Sequence, residues 1–400
     1  MPQYYYTAKS KESGSEITDI SRADDKKELE EKLRAENLFL IEAEEIKTSR
    51  GLSLSSGVSL EDKIFFTKNL QMMLSGGLSM SRSLKTIATQ VKSERLRGIL
   101  LSIREDIQQG RTLSESMSAY PDVFSKMFVS IIKLSEETGQ IEENLDILIN
   151  QFQKEHQLKS EVKGALIYPA VIVFAMIGVG LAMLILVVPR LSDTFSAMDT
   201  ELPITTRFFI WLGDFAASYW YLVPIIIIGA IFSIKMIYKT KKGREIFDSL
   251  ILKIPVVSET VKKINTARIA RTLNSLLSSG ISLLKSLEII AESTTNVHFE
   301  NALMDSSESI QRGDKLSESM RPHINLFSFL LIQMIEVGEE TGKTSDVLAE
   351  TADFLEEEVF SSMKNLTSII EPVLMIIVGT AVGFFAFSML IPIYSLLEAL

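Results

Sequence analysis

Leu113-Ser-Glu-Ser-Met117 and Glu136-Glu-Thr-Gly139 are each spelled a second time, as Leu316-Ser-Glu-Ser-Met320 and Glu339-Glu-Thr-Gly342. The offset is 203 residues in both cases, and it also carries Gly77 to Gly280, Gly110 to Gly313, Pro169 to Pro372 and Pro189 to Pro392. An offset that never slips, with a period far above the roughly 20 to 50 residues of solenoid repeats, reads as one duplicated domain. Each copy runs into a charge-free stretch, so two similar polar bodies share one apolar anchor.

Composition supports that anchor. The 400 residues are 46% hydrophobic, with a mean hydropathy of +0.21, more than a soluble chain usually carries. The excess sits in three runs without charge, Gly164 to Pro189, Phe215 to Ile234 and Pro372 to Leu397. Crossing a bilayer as helix takes about 20 apolar residues, so three transmembrane helices are expected. Lys154, Lys159 and Lys163 precede the first run, and Lys235, Lys239, Lys241, Lys242 and Arg244 follow the second. Basic flanks stay on the cytoplasmic side. This gives a small N-terminal cytoplasmic unit (1–47), a flexible linker (48–59) and a first cytoplasmic helical bundle (60–163). A first span (164–189), an extracytoplasmic loop (190–214) and a second span (215–238) follow. A second bundle (239–371) and a third span (372–397) complete the chain, with the N-terminus inside and the C-terminus outside. Residues 1–50 lack the apolar core of a signal peptide, so the first span reads as an uncleaved anchor.

The absence of cysteine excludes disulfides, thiolate metal sites and cysteine nucleophiles. A net charge of −10 argues against nucleic acid as a partner, because phosphate binding needs a clustered basic face. Residues 1–46 read as three strands (Tyr4 to Thr7, Glu16 to Ile20, Leu38 to Ile41) and one helix (Asp24 to Ala35). From Leu60 the apolar spacing turns helical, with Ile64, Phe65, Leu70, Met73 and Leu74 ahead of a break at Gly76-Gly77, then Leu84 and Ile87. Gly77, Gly280, Gly139 and Gly342 stand where helix ends take left-handed residues. Thr112 with Glu115 spells a capping box, and Asp314 is the looser counterpart in copy two. The fold class is mainly α: two homologous antiparallel bundles, three transmembrane helices and a small N-terminal α+β unit.

Gly338-Glu-Glu-Thr-Gly342-Lys343-Thr344 resembles a phosphate-binding loop, but has three residues between its glycines where that loop needs four, and it joins two helices. The acidic pairs Glu136-Glu137 and Glu339-Glu340 read first as solvated turns, with a cation or a basic partner as the functional alternative. Two adjacent carboxylates do not supply the six or so oxygens a hard cation takes. His156, His298 and His323 share no ligand spacing. No nucleophile stands beside a base, so no enzyme, cofactor or metal is expected. Glu371 sits directly before Pro372 where copy one has Tyr168 before Pro169. A carboxylate at a membrane edge is a candidate for coupling as well as for an interfacial position. Gly379 and Gly383 lie four apart on one helix face, as close helix packing requires. Tyr219-Trp220-Tyr221 reads as an aromatic belt.

The whole pattern resembles the platform-protein family of type II secretion systems and type IV pili, the GspF/PilC family. The resemblance rests on Tyr4 to Ala8, the glycine-turn hairpins, the Glu-Glu-Thr-Gly turns, Tyr168-Pro169 and Glu371-Pro372. It implies a non-catalytic bacterial inner-membrane protein that contacts a cytoplasmic assembly ATPase, pilin or pseudopilin subunits and other inner-membrane machine components, as a homo-oligomer. The alternative is a small-molecule transporter, whose substrate sites lie on broken polar helices near the midplane; these runs hold no central charge.

Overall fold

The computed structural model describes residues 3–11, 16–46, 57–190, 204–219, 222–255 and 257–399. Most of the expected linker, residues 191–203 of the expected loop, and Trp220 and Tyr221 of the aromatic triplet lie outside them. The chain divides into two compact units, Met1–Gln153 and Lys154–Leu400.

The first unit opens with a three-stranded antiparallel sheet. Strands β1 (Gln3–Ser10), β2 (Glu16–Arg22) and β3 (Leu38–Ile46) are ordered β2-β1-β3. Helix α1 (Lys26–Ala35) begins at Asp25, whose carboxylate accepts from Glu28 N. It closes the sheet with Leu29 and Leu33 against Tyr4, Tyr6, Ala8 and Ala43.

Copy one is built from α2 (Leu60–Ser75), α3 (Met80–Gln90), α4 (Glu94–Gln108), α5 (Leu113–Ser118) and α6 (Lys126–Thr138). Helix α7 (Ile141–Ala182) follows, and a π-helical turn, Met183–Val187, carries it to Arg190. In the second unit, α8 (Ile204–Ser218), α9 (Leu222–Tyr238) and α10 (Lys241–Ile251) precede copy two. Copy two comprises α11 (Val257–Ser278), α12 (Leu283–Ser293), α13 (Val297–Gln311), α14 (Leu316–Met320), α15 (Phe329–Thr341) and α16 (Thr344–Ala399). Helices α3, α4, α6 and α7 begin 203 residues before α12, α13, α15 and α16, so the duplicated sequence gives helices in register to the residue.

The cores repeat with their shapes exchanged. Phe66, Leu96 and Phe128 of copy one give way to Ile269, Phe299 and Leu331, all buried, while Leu70, Leu84, Ile87 and Leu100 return as Leu273, Leu287, Ile290 and Leu303. Phe66 faces this core, while Phe65, which the spacing nominated, is 39% exposed. The prolines at 169 and 372 lie within unbroken helices.

Among the described residues two helices are long and apolar enough to cross a membrane, Ile141–Arg190 and Thr344–Ser388. The third expected span divides: residues 215–218 end α8, and α9 starts at Leu222. Pro224 stands in the first turn of α9, where its missing N–H costs no helical hydrogen bond. Helix α9, at 17 residues, reaches about 25 Å, the lower end of what crosses the roughly 30 Å hydrocarbon core.

Candidate functional site

The two candidate spans meet where their prolines stand. A proline nitrogen carries no hydrogen, so Pro169 leaves the carbonyl of Ala165 without its helical donor. The Thr367 hydroxyl lies 3.3 Å from that carbonyl and 3.1 Å from Met363 O. One turn on, the Tyr168 hydroxyl donates to Glu371 Oε1 at 3.4 Å, across a sequence separation of 203. The duplicated position thus faces its own equivalent, tyrosine on α7 and carboxylate on α16. Pro169 and Leu374 are buried beside this junction, while Tyr168 is 49% exposed. The edge of the site is therefore open to an approaching group. Beyond it both spans present large apolar side chains outward, including Phe174 at 83% and Ile376 at 68% exposure.

Below the junction copy two carries two acids that copy one lacks. Arg271 grips Glu356 with two hydrogen bonds of 2.8 and 2.9 Å and also bonds Asp353. Lys154 of α7 reaches the same two acids, at 2.7 Å from Asp353 and 3.4 Å from Glu356. Burial pushes the Asp353 carboxyl up, but the hydrogen bonds from Lys154 and Arg271 outweigh it and hold the group below the usual range. The hydrogen bond to Asp353 is the main cause that raises the Lys154 ammonium. Copy one has Lys68, Asn150 and Gln153 at the positions of Arg271, Asp353 and Glu356. Comparing the copies position by position is the signal that would have found this cluster, and Thr367, where copy one has Gly164, by the same route.

The acidic turns face inward as well as out. Glu136 accepts from Leu113 N at 2.5 Å and from Ser114 N and Oγ at 3.1 and 2.5 Å. Glu339 repeats the arrangement on Leu316 N at 2.6 Å and on Ser317 N and Oγ at 3.2 and 2.5 Å. The solvated-turn reading is corrected for these two carboxylates: each caps the short helix of its own copy. Glu137 and Glu340 are exposed. Thr112 accepts from Glu115 N, whereas Lys315 occupies the cap of α14 and supplies no side-chain bond, so Asp314 does not cap it. Glu339 takes over that task.

The loop-like string at Gly338 is a helix ending. Gly342 has φ 69° and Lys343 N donates to Gly338 O at 3.0 Å. A Cβ on Gly338 would lie 2.8 Å from the Thr344 Cα, so this glycine permits a close backbone approach. Among the described residues six glycines have positive φ, and they form three pairs 203 apart, Gly77 and Gly280, Gly110 and Gly313, Gly139 and Gly342. Gly379 and Gly383 face open space, with nothing within 4 Å of an added Cβ. No group of three or more metal-ligating side chains occurs among the described residues.

Comparison with known proteins gives the same duplication, at the same offset of 203 residues. The family model described as Type II secretion system (T2SS), protein F matches twice, at residues 66–189 and 269–392. The type IV pilus assembly protein PilC of Thermus thermophilus is 30% identical over all of this chain and 99% of its own length. PilC of Myxococcus xanthus is 31% identical, over 86% of this chain and 82% of its own. The type II secretion system protein F of Aeromonas hydrophila is 26% identical over 94% of this chain and 98% of its own.

Proposed function

The chain belongs to the type II secretion system protein F family, and we propose that it is a non-catalytic inner-membrane platform coupling a cytoplasmic assembly ATPase to insertion or extraction of pilin-like subunits. The observation that carries this reading is the continuity of α7 and α16. Each begins in a polar bundle, runs without a break into an apolar span, and meets the other at Tyr168 and Glu371. A helix is stiff along its axis, so a push on either bundle is delivered about 40 Å away, at the junction of the spans. ATP turnover belongs to the partner, and the N-terminal sheet unit is the docking module.

In this reading both bundles face the cytoplasm, three spans cross the inner membrane, and the C-terminus lies outside. The platform works as a homo-oligomer alongside other inner-membrane components. Glu371 receives the charged head of an incoming pilin-like subunit, exchanging its long bond to Tyr168 for an ion pair. The pilus-named relatives share 30–31% identity with the chain and the Aeromonas secretion protein 26%, which favours a pilus machine.

The test is crosslinking in intact membranes from probes in the sheet unit, in both bundles and beside Glu371, with captured partners identified by mass spectrometry. Capture of an assembly ATPase at the cytoplasmic probes and of pilin-like subunits near Glu371 supports the proposal. Capture of neither, in cells making filaments, overturns it.

A further inference from the structure

Helix α8 carries two opposed faces. Ile204, Phe208, Trp211, Phe215 and Tyr219 follow one another at spacings of four and three, which aligns them on one side of a helix. They are 85, 53, 61, 43 and 44% exposed. Successive rings from Phe208 to Tyr219 stand 6.3, 5.9 and 5.2 Å apart. On the other side Thr206 and Gly213 are buried against the spans. The Thr206 hydroxyl donates to Ser388 O of α16 at 2.6 Å. Gly213 lies so close to α7 that a Cβ would come 2.7 Å from Val188 Cγ1 and 3.0 Å from Leu184 O.

These contacts fix the level and direction of α8. The spans run side by side in register, because Tyr168 pairs with Glu371 and Ala165 with Thr367. On the duplicated numbering Ser388 stands level with position 185, which lies within the 184–188 stretch that Gly213 touches. Helix α8 therefore meets both spans at one level. Seven residues separate its two contacts, about 10 Å along a helix, which is the usual spacing of packed helix axes. It crosses over the spans instead of running alongside one of them. From Tyr168 to that level is 17 residues of helix, about 25 Å, close to the roughly 30 Å hydrocarbon thickness of a bilayer.

We propose that α8 lies in the plane of the far membrane interface, with its aromatic stripe seated in lipid at the boundary between headgroups and acyl chains. Lipid is the occupant because Leu186 and Phe387, on the spans at the same level, are also exposed, at 61 and 65%, so the stripe continues an apolar surface that lipid already covers. Arg207 and Asp214, both exposed and seven residues apart, share one flank of α8. A charged flank beside an aromatic face is the pattern of helices that lie in an interface, where tryptophan and tyrosine concentrate. The inference rests on the spans crossing a bilayer.

The chain has two tryptophans, Trp211 and Trp220, so the W220F full-length protein reports on α8 alone. It is reconstituted into phosphatidylcholine/phosphatidylglycerol vesicles brominated either near the glycerol end of the acyl chain or near its tip. Flotation with the vesicles tests the spanning reading separately, and filament formation by W220F cells verifies the variant. The expected result is a loss of about half or more of Trp211 emission with shallow bromines and a clearly smaller loss with deep ones. Equal or greater loss from deep bromines would put the helix within the hydrocarbon and overturn the proposal. Insensitivity to both lipids overturns it too: full quenching by acrylamide would then place the stripe in water, and resistance to acrylamide would place it under protein.

Discussion

Replacing Glu339 by alanine removes every side-chain acceptor at the start of α14. Its carboxylate receives three hydrogen bonds, from Leu316 N, Ser317 N and Ser317 Oγ, and Lys315 offers no cap of its own. A hydrogen bond to a charged group contributes about 1.5–3 kcal/mol, and a negative charge at a helix N-terminus about 0.3–1 kcal/mol. The site is half-buried, so water recovers part of what the three bonds supply, and the net local cost is about 2–4 kcal/mol. Glu136→Ala should cost about 1 kcal/mol less, the worth of an N-cap, because Thr112 still accepts from Glu115 N. Hydrogen exchange of the full chain in lipid nanodiscs, read by mass spectrometry over residues 113–118 and 316–320, resolves the two copies. At 1.4 kcal/mol per tenfold, Glu339→Ala should speed exchange across its own helix by about 30- to 700-fold. Unchanged protection in the E339A protein would refute the capping account. If filaments were lost at the same time, the carboxylate would have to serve a partner instead.

Other outcomes follow from the same geometry. Gly338→Ala should lower the melting temperature more than Gly342→Ala: the first drives a Cβ to 2.8 Å from Thr344 Cα, while the second places alanine at φ 69°, a cost of about 1–2 kcal/mol; the reverse order would contradict the close approach. Asp353, held low, stabilises the fold above the ordinary aspartate range near pH 4 and loses that contribution as pH falls through its lowered value. Lys154, held high, contributes below about pH 10 and loses it as pH rises through its raised value. The stability difference between wild type and D353N should therefore be flat from about pH 5 to 9 in denaturant titrations, and a slope near neutrality would refute this pairing. Glu371→Gln at normal protein levels should abolish filament assembly, Tyr168→Phe should only reduce it, and normal piliation of E371Q cells would remove the coupling role.

The duplication was legible because an offset of 203 links several motifs at once, and helical periodicity then gave the bundles. Long-range partners were less visible. Glu136 reaches a helix start 22 and 23 residues away, and nothing local to the Glu-Glu-Thr-Gly turn announces that acceptor. Charge-free length alone ran residues 215–234 together, although Pro224 already marked a helix start. Reading residues 190–214 as a loop hid α8, whose spacing from Ile204 to Tyr219 is plain once a helix is drawn there. The meeting of Tyr168 with Glu371 needed the spans placed side by side, which no single-copy pattern supplies.

That meeting bears on why the two copies share one chain. In a protein with one copy per chain, assembled as a pair, this position would face its own twin, and a glutamate would confront a glutamate. Like charges at such range force one group to give up its ionisation. Joined in tandem, the two sides of a self-contact can differ, so one becomes the hydroxyl donor and the other the carboxylate acceptor. Fusion here turns a symmetric contact into a directional one, with a hydroxyl on the α7 side and a carboxylate on the α16 side.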